Sequence, residues 1–409
     1  MRKIYLDNAA TTCVLPQVMD IMTPWLNEYY GNPSSIYSLS EKSREGIAKS
    51  RRQIANVIGA DSSEIFFTGS GSEADNWALK GVSFTCKNKG NHIVTTSIEH
   101  HAVLHTAEFL EKNGFNVTFL PVDQMGRVSI DDVKNAITEK TILVSVMFAN
   151  NEIGTLQPIS EIGALCRSQG VIFHTDAVQA VAHVPIDVVK MNIDLLSLSA
   201  HKFYGPKGTG VLYVRKGLRF ENFVHGGGQE NGRRAGTENI AGIIGLGAAA
   251  EITYADMQSE ISRISDLRDK LINGVMKCIP HAKLNGAPGD ERLPGNVNFS
   301  FIGVEGETLL LDLDSAGISA STGSACTSGS LDPSHVLMAL GLSHELAHGS
   351  LRLTLGKHNT EEDIDYVLDV LPKIIARRRE MSPLWDDYIK GLNSGKNELR
   401  TEEKLFHVQ

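Results

Sequence analysis

Cysteine is scarce and scattered in this sequence. Cys13, Cys86, Cys166, Cys278 and Cys326 are all there is in 409 residues, and no two form a C-x-x-C. An odd, widely spaced set excludes a disulfide framework and leaves no local cluster of zinc or iron–sulfur ligands. An excess of positive charge is also missing. With 39 Lys and Arg against 48 Asp and Glu, the net charge is −9. That argues against a general nucleic-acid surface, because neutralising phosphates needs clustered cations. The main basic run, Arg377-Arg378-Arg379, closes a helix-like segment, where cations suit the negative end of the dipole. No stretch is apolar for long enough to span a bilayer, and the opening MRKIYLDNAATT lacks the apolar run of a signal peptide. The expectation is a cytoplasmic protein acting on neither membrane nor nucleic acid.

What is present is a repeated texture. Short Val- and Ile-rich runs recur about one helix apart: HIVTTSIEH (92–100), TILVSVMFANN (141–151), VIFHTDAVQA (171–180), DLLSLSAHKF (194–203) and GVLYVR (210–215). Alternation of this kind predicts βαβ units and a mostly parallel sheet, hence an α/β fold. From about residue 259 the pattern changes to a long amphipathic helix, the strand-like LPGNVNFSFIG and SLRLTLG, and a helix opened by the capping-box sequence Thr360-Glu361-Glu362-Asp363. The division expected is a large domain over 15–258, a smaller α+β domain from 1–14 and 259–386, and a polar tail over 387–409.

The apolar runs end in polar residues: Glu99-His100, Asn150-Asn151, Asp176, His201-Lys202. In open α/β sheets, ligands bind at the carboxyl ends of strands, so chemistry should collect there. Lys202 follows one strand directly and precedes a glycine-rich turn; an amine so placed can form a Schiff base with a cofactor aldehyde. Asp176 ends another strand 26 residues earlier and suits a carboxylate paired to a pyridinium nitrogen. FFTGSGSEADN (66–76) passes from a strand through Gly69, Ser70, Gly71 and Ser72 into a helix. Backbone N–H groups at a helix start, plus a hydroxyl, suit a phosphate. Together these three features point to pyridoxal phosphate.

The motifs YLDNAATT, GNPSS, IEHHAV, NNEIGTLQPI, HTDAVQA, LSAHKFYGPKG, RRAGTEN, the STGSACTSGS loop and SLRLTLG run in this order along nearly the whole chain. They resemble the cysteine desulfurases of the NifS/IscS class. The resemblance implies a fold-type I pyridoxal 5'-phosphate transferase, a homodimer that converts L-cysteine to L-alanine. It further implies an enzyme persulfide that donates sulfur to an acceptor or iron–sulfur scaffold protein.

Residue by residue, Lys202 resembles the lysine that holds the cofactor aldehyde, and Asp176 the partner of the ring nitrogen. His100 matches the histidine stacked on the ring and implicated in proton transfer. Gly71 and Ser72 match the phosphate-binding pair, joined by Ser199 and His201. Asn151 and Gln179 fall where the family contacts the cofactor's phenolic oxygen and the substrate. Thr237 matches a residue reaching the phosphate from the other subunit, and Arg352 the arginine that grips the substrate carboxylate with a planar fork. The phosphate turn reads GSGSE where SGATE is frequent, and Tyr37 stands where a histidine often follows GNPSS, so Tyr37 is assigned no role.

Cys326 then has a reason to sit among serines, threonines and glycines. Sulfur transfer needs a thiolate, which is a strong nucleophile even when only a few per cent ionised. The other four cysteines are expected to be buried and inert. HELAH (344–348) fits H-E-x-x-H, but Gly349 follows at once and a strand-like run comes next, so it is read as a helix end and no metal site is assigned. GIIGLG (242–247) has no strand before it and reads as a packing helix. His101 and His105 read as a surface helix face. The rival readings are a selenocysteine lyase or aminotransferase on the same cofactor site, a zinc peptidase through HELAH, and a non-catalytic sulfur carrier.

Overall fold

A computed structural model of the chain describes residues 3–322 and 333–393. Strand β1 (Ile4–Tyr5) opens it. Next come β2 (Ile65–Thr68), β3 (His92–Thr96), β4 (Asn116–Leu120), β5 (Thr141–Ser145), β6 (Ile172–Asp176), β7 (Leu195–Ser199) and β8 (Gly210–Val214). These last seven form one sheet in the order β2-β8-β7-β6-β5-β3-β4. Strands β4, β3, β5, β6 and β7 pair in parallel, and β8 runs antiparallel to both β7 and β2. Two reversals cancel, so β2 points the same way as β7. The carboxyl ends of β2, β3, β5, β6 and β7 therefore open on one edge.

Helices cover both faces, which is why β3, β5, β7 and β8 are buried at every position and carry apolar residues on both faces. The five runs singled out in the sequence are β3, β5, β6, β7 and β8; β6 ends on its polar residue Asp176, and the other four stop short of theirs. The edge strand β4 (NVTFL) is half-exposed and too mixed in character to stand out. GIIGLG lies inside helix Ile240–Ala255, almost wholly buried against the large sheet's core. Helix Leu39–Ile58 ends at Gly59 (φ 70°), a left-handed position that glycine adopts without penalty. Among the described residues no single helix is long and apolar enough to cross a membrane.

Strands β9 (Ala282–Leu284), β10 (Asn296–Phe301), β11 (Ile318–Ser319) and β12 (Ser350–Thr354) follow. β12-β10-β9 form an antiparallel sheet, and β11 pairs in parallel with β1. One face of the small sheet carries Val297, Phe299, Phe301, Leu351 and Leu353. These pack on helices Met257–Cys278 and Glu361–Glu380 in a core that also takes in Ile4 and Leu6. Thr360 caps the second of these helices in the expected capping box with Asp363. In its last turn Arg377 and Arg378 pair with Asp312.

The other face of that sheet is polar yet equally buried: Asn296, Asn298, Ser300, Ser350 and Arg352. Buried polar groups need partners, and Asn296, Asn298 and Arg352 find theirs on the loop after β5. Asn298 Nδ2 donates to the Glu152 carbonyl (3.1 Å), Asn296 Nδ2 to the same oxygen (3.2 Å), and Arg352 Nη1 to the Asn151 carbonyl (3.2 Å). This grip on one loop brings the small sheet to the carboxyl edge of the large one.

Candidate active site

A cavity of about 260 Å³ opens where the two sheets meet. Its lining includes Ser70, Gly71, Ser72, His100, Asn151, Asp176, Gln179, Ser199, His201, Lys202 and Arg352. The structure thus brings together every predicted site residue except Thr237 and Cys326. Thr237 is exposed, on the segment after Arg234, which is held to Glu73 by a two-point ion pair (2.7 and 3.0 Å). Cys326 lies outside the described residues.

Lys202 sits in the turn after β7, where Nζ donates to the carbonyls of Ala9 and Ala10, the latter at 2.9 Å. Asp176 closes β6; its Oδ1 accepts the Val178 N–H at 2.9 Å. Burial pushes this carboxyl up to about 6, against the pull of that N–H and of Lys202. His100 caps helix His101–Lys112, its Nδ1 accepting the Ala102 N–H at 3.1 Å. That bond puts the ring's proton on Nε2. Burial, and then the nearby Lys202 charge, hold His100 down to about 4, so it is neutral at physiological pH. His201 is lowered to about 4 by the same two causes, and its Nδ1 meets Thr11 Oγ1 at 3.1 Å.

The phosphate turn has a cradle's geometry. Ser70 Oγ accepts the Glu73 N–H (3.1 Å), capping helix Gly71–Cys86, and the two N–H groups before it belong to residues lining the cavity. A Cβ on Gly71 would stand 2.6 Å from Val178 Cγ2, so the close approach requires glycine.

Arg352 is 2% exposed, and its Nη2 pairs with Asp7 Oδ1 at 2.9 Å. Its Nε is buried without a hydrogen-bond partner among the described residues, a donor left for a ligand in the cavity. The chain on both sides of residues 323–332 is tied to this corner. Ser321 exchanges two backbone hydrogen bonds with Arg352 (3.1 and 2.7 Å), and Ser334 Oγ donates to Glu152 Oε2 at 2.5 Å.

Of the remaining thiols, Cys86 and Cys166 are buried as expected, and burial pushes Cys166 up to about 12. Cys13 and Cys278 are exposed, contrary to expectation. Cys278 falls on the solvent side of an amphipathic helix's last turn, and Cys13 points out from the turn whose neighbour Thr12 is bonded inward to His201. HELAH forms only the five-residue helix His344–His348, and among the described residues no group of three potential metal ligands occurs. His101 and His105 do face each other, with ring centres 5.0 Å apart. Sequence reasoning passed over Asp7 and Asp75, and it used Glu99 only as a strand-end marker. Asp75 follows Gly71 by one helical turn, and that spacing was the available signal.

Neutral His100, anionic Asp176, an amine and a helix N-terminus around one cavity define a pyridoxal phosphate site, and the Gly71 cradle fits the cofactor's phosphate. The comparisons agree. The Aminotransferase class-V profile matches residues 4–367. The cysteine desulfurase IscS of Clostridium botulinum is 63% identical over 391 residues, covering 95% of this chain and 98% of that one. The cysteine desulfurase IscS of Methanosarcina thermophila is 56% identical over 383 residues, 94% of each chain. Among solved structures, a NifS-like protein superposes with a TM-score of 0.86 at 38% identity, covering 92% of this chain and all (100%) of that one. The structure described as SspA in complex with cysteine gives 0.77 at 37%, covering 88% and 100%. The chain belongs to the class-V aminotransferase family and, within it, to the pyridoxal phosphate-dependent cysteine desulfurases.

Proposed function

We propose that this protein converts L-cysteine to L-alanine and retains the sulfur as a persulfide on Cys326. The observation that carries this reading is a single corner. Arg352, placed for a carboxylate, is bonded directly to Ser321, five residues before Cys326, while Lys202 and Asp176 line the same cavity.

Bound pyridoxal phosphate supplies an aldehyde for the substrate amine and a ring that withdraws electrons from the α-carbon. Lys202 holds the cofactor, Asp176 meets its ring nitrogen, and Gly71, Ser72, Ser199 and His201 hold its phosphate. Gln179 and Asn151 orient the cofactor and substrate. Arg352 fixes the substrate carboxylate. His100, neutral and carrying its proton on Nε2, would present that N–H as a hydrogen-bond donor in the cavity. The Cys326 thiolate attacks the substrate's sulfur: an S–S bond forms as the Cβ–S bond breaks, the electron pair stays on carbon, and a proton completes alanine's methyl group.

Thr237 is exposed on its own chain, and we assign it to the phosphate site of a second subunit. The exposed apolar residues Leu26, Tyr30, Ile36 and Tyr37 favour such a homodimer. An active monomer on sedimentation would remove this role for Thr237. In this reading 15–258 forms the cofactor-binding domain, and 1–14 with 259–386 the domain that carries Cys326. The sulfur goes on to an acceptor such as an iron–sulfur scaffold in the cytoplasm. The test is to give the purified holoenzyme L-cysteine with and without a reductant. Alanine should form in both, with stoichiometric persulfide when reductant is absent and sulfide when it is present. No alanine would refute the reading.

A further inference from the structure

The floor of the cavity holds a second carboxyl that no step above uses. Asp75, one turn into helix Gly71–Cys86, lines the cavity and is 1% exposed. Its Oδ1 has no hydrogen-bond partner among the described residues and lies 3.6 Å from His174 Nε2. His174 stands two residues before Asp176 on β6, so both side chains leave the same face of the sheet. Its Nδ1 is 2.8 Å from Ser145 Oγ on β5, and its Nε2 3.1 Å from Ser197 Oγ on β7. Ser145 lies opposite His174 in register, and Ser197 opposite Asp176. A row of buried polar groups thus crosses three strands beneath the cavity and ends at two neighbouring carboxyls.

We propose that Asp75 is a positioning residue for the cofactor: it stands protonated in the cavity floor, leaving Asp176 as the anion for the ring nitrogen. Two carboxyls buried on one cavity lining resist ionising together. Their surroundings decide which one ionises. Asp176 accepts the Val178 N–H, which favours its charge. Asp75 has an oxygen with no donor among the described residues, and Glu99, pushed up to about 8 by burial, is neutral beside it. The other titratable groups around the pair leave the balance there. His174, in full burial, is held down to about 3 and stays neutral, and His100 is neutral too. Burial pushes Asp75 well above its usual range and Asp176 only to about 6.

This inference rests on the cavity binding pyridoxal phosphate, and the test separates the two claims. Cofactor affinity of the apoenzyme is measured by fluorescence titration for wild type, Asp75→Asn and Asp75→Ala. Asparagine copies a protonated carboxyl, so Asp75→Asn should bind within about threefold of wild type, whereas Asp75→Ala leaves a void beside His174 in the cavity floor and should bind about tenfold more weakly. Infrared difference spectra of the holoenzyme should show a carboxylic-acid C=O band in wild type that is missing from Asp75→Asn. Asp75→Asn as impaired as Asp75→Ala, or a band unchanged in Asp75→Asn, would overturn the inference. Wild-type protein that bound no pyridoxal phosphate would overturn the underlying reading instead.

Discussion

Arg352→Lys keeps the charge of the carboxylate site and removes its shape. The guanidinium has five N–H donors in a plane. Here one nitrogen serves Asp7 (2.9 Å), a second serves the Asn151 carbonyl (3.2 Å), and Nε remains for the substrate. A lysine ammonium has three donors on one atom, and in a site this buried it cannot face Asp7 and a substrate carboxylate in the same geometry. One charged hydrogen bond, roughly 1.5–3 kcal/mol, is therefore lost from the complex, equivalent to a 10- to 150-fold rise in KM for L-cysteine. Initial rates of alanine release across a cysteine series measure this, and the dissociation constant for L-alanine gives an independent value free of turnover. Asp7→Asn should raise KM by less, because its amide oxygen still accepts from Nη2. A KM within threefold of wild type for Arg352→Lys would show that another residue holds the carboxylate.

Cys326→Ser should keep its cofactor and bind L-cysteine but release no alanine, since a hydroxyl is a weak nucleophile toward sulfur at neutral pH. In wild type without reductant, peptide mass spectrometry should find one added sulfur on the Cys326 peptide. Persulfide on Cys13 or Cys278, with Cys326→Ser fully active, would sink the mechanism. Gly71→Ala forces a methyl to 2.6 Å from Val178 Cγ2 and 3.4 Å from Ser199 Cβ. Chemical denaturation should show a loss of about 1–3 kcal/mol, together with weaker cofactor binding; unchanged values in both measurements would mean the turn relaxes freely.

Much of the site was legible because a parallel sheet gathers its strand ends on one edge. A polar residue closing an apolar run, such as Asp176 or Lys202, can therefore be placed without knowing the loops. Arg352 was reached only through family resemblance. SLRLTLG reads as a strand with one face in a core, and nothing local reveals that its other face is buried as well, against the loop of Asn151. Asp75 escaped for a different reason: an acid near a helix start is what the helix dipole favours at any surface. Its burial under Asp176 depends on β5, β6 and β7 coming into register beneath it. The edge strand β4 lacked the apolar density of its neighbours. Cys13 and Cys278 were expected inside on residue type alone, and the facing of their turn and helix decided otherwise.

The bridge between Ser321 and Arg352 sets a distance for chemistry that takes place beyond the cavity. Cys326 stands five residues after Ser321, and a fully extended chain covers at most about 3.3–3.6 Å per residue. The Cα of residue 326 thus stands at most roughly 18 Å from that of Ser321, which is itself bonded to Arg352. In the mechanism proposed above, a protein that collects the sulfur would therefore dock within that reach of Ser321, extended by the length of one cysteine side chain.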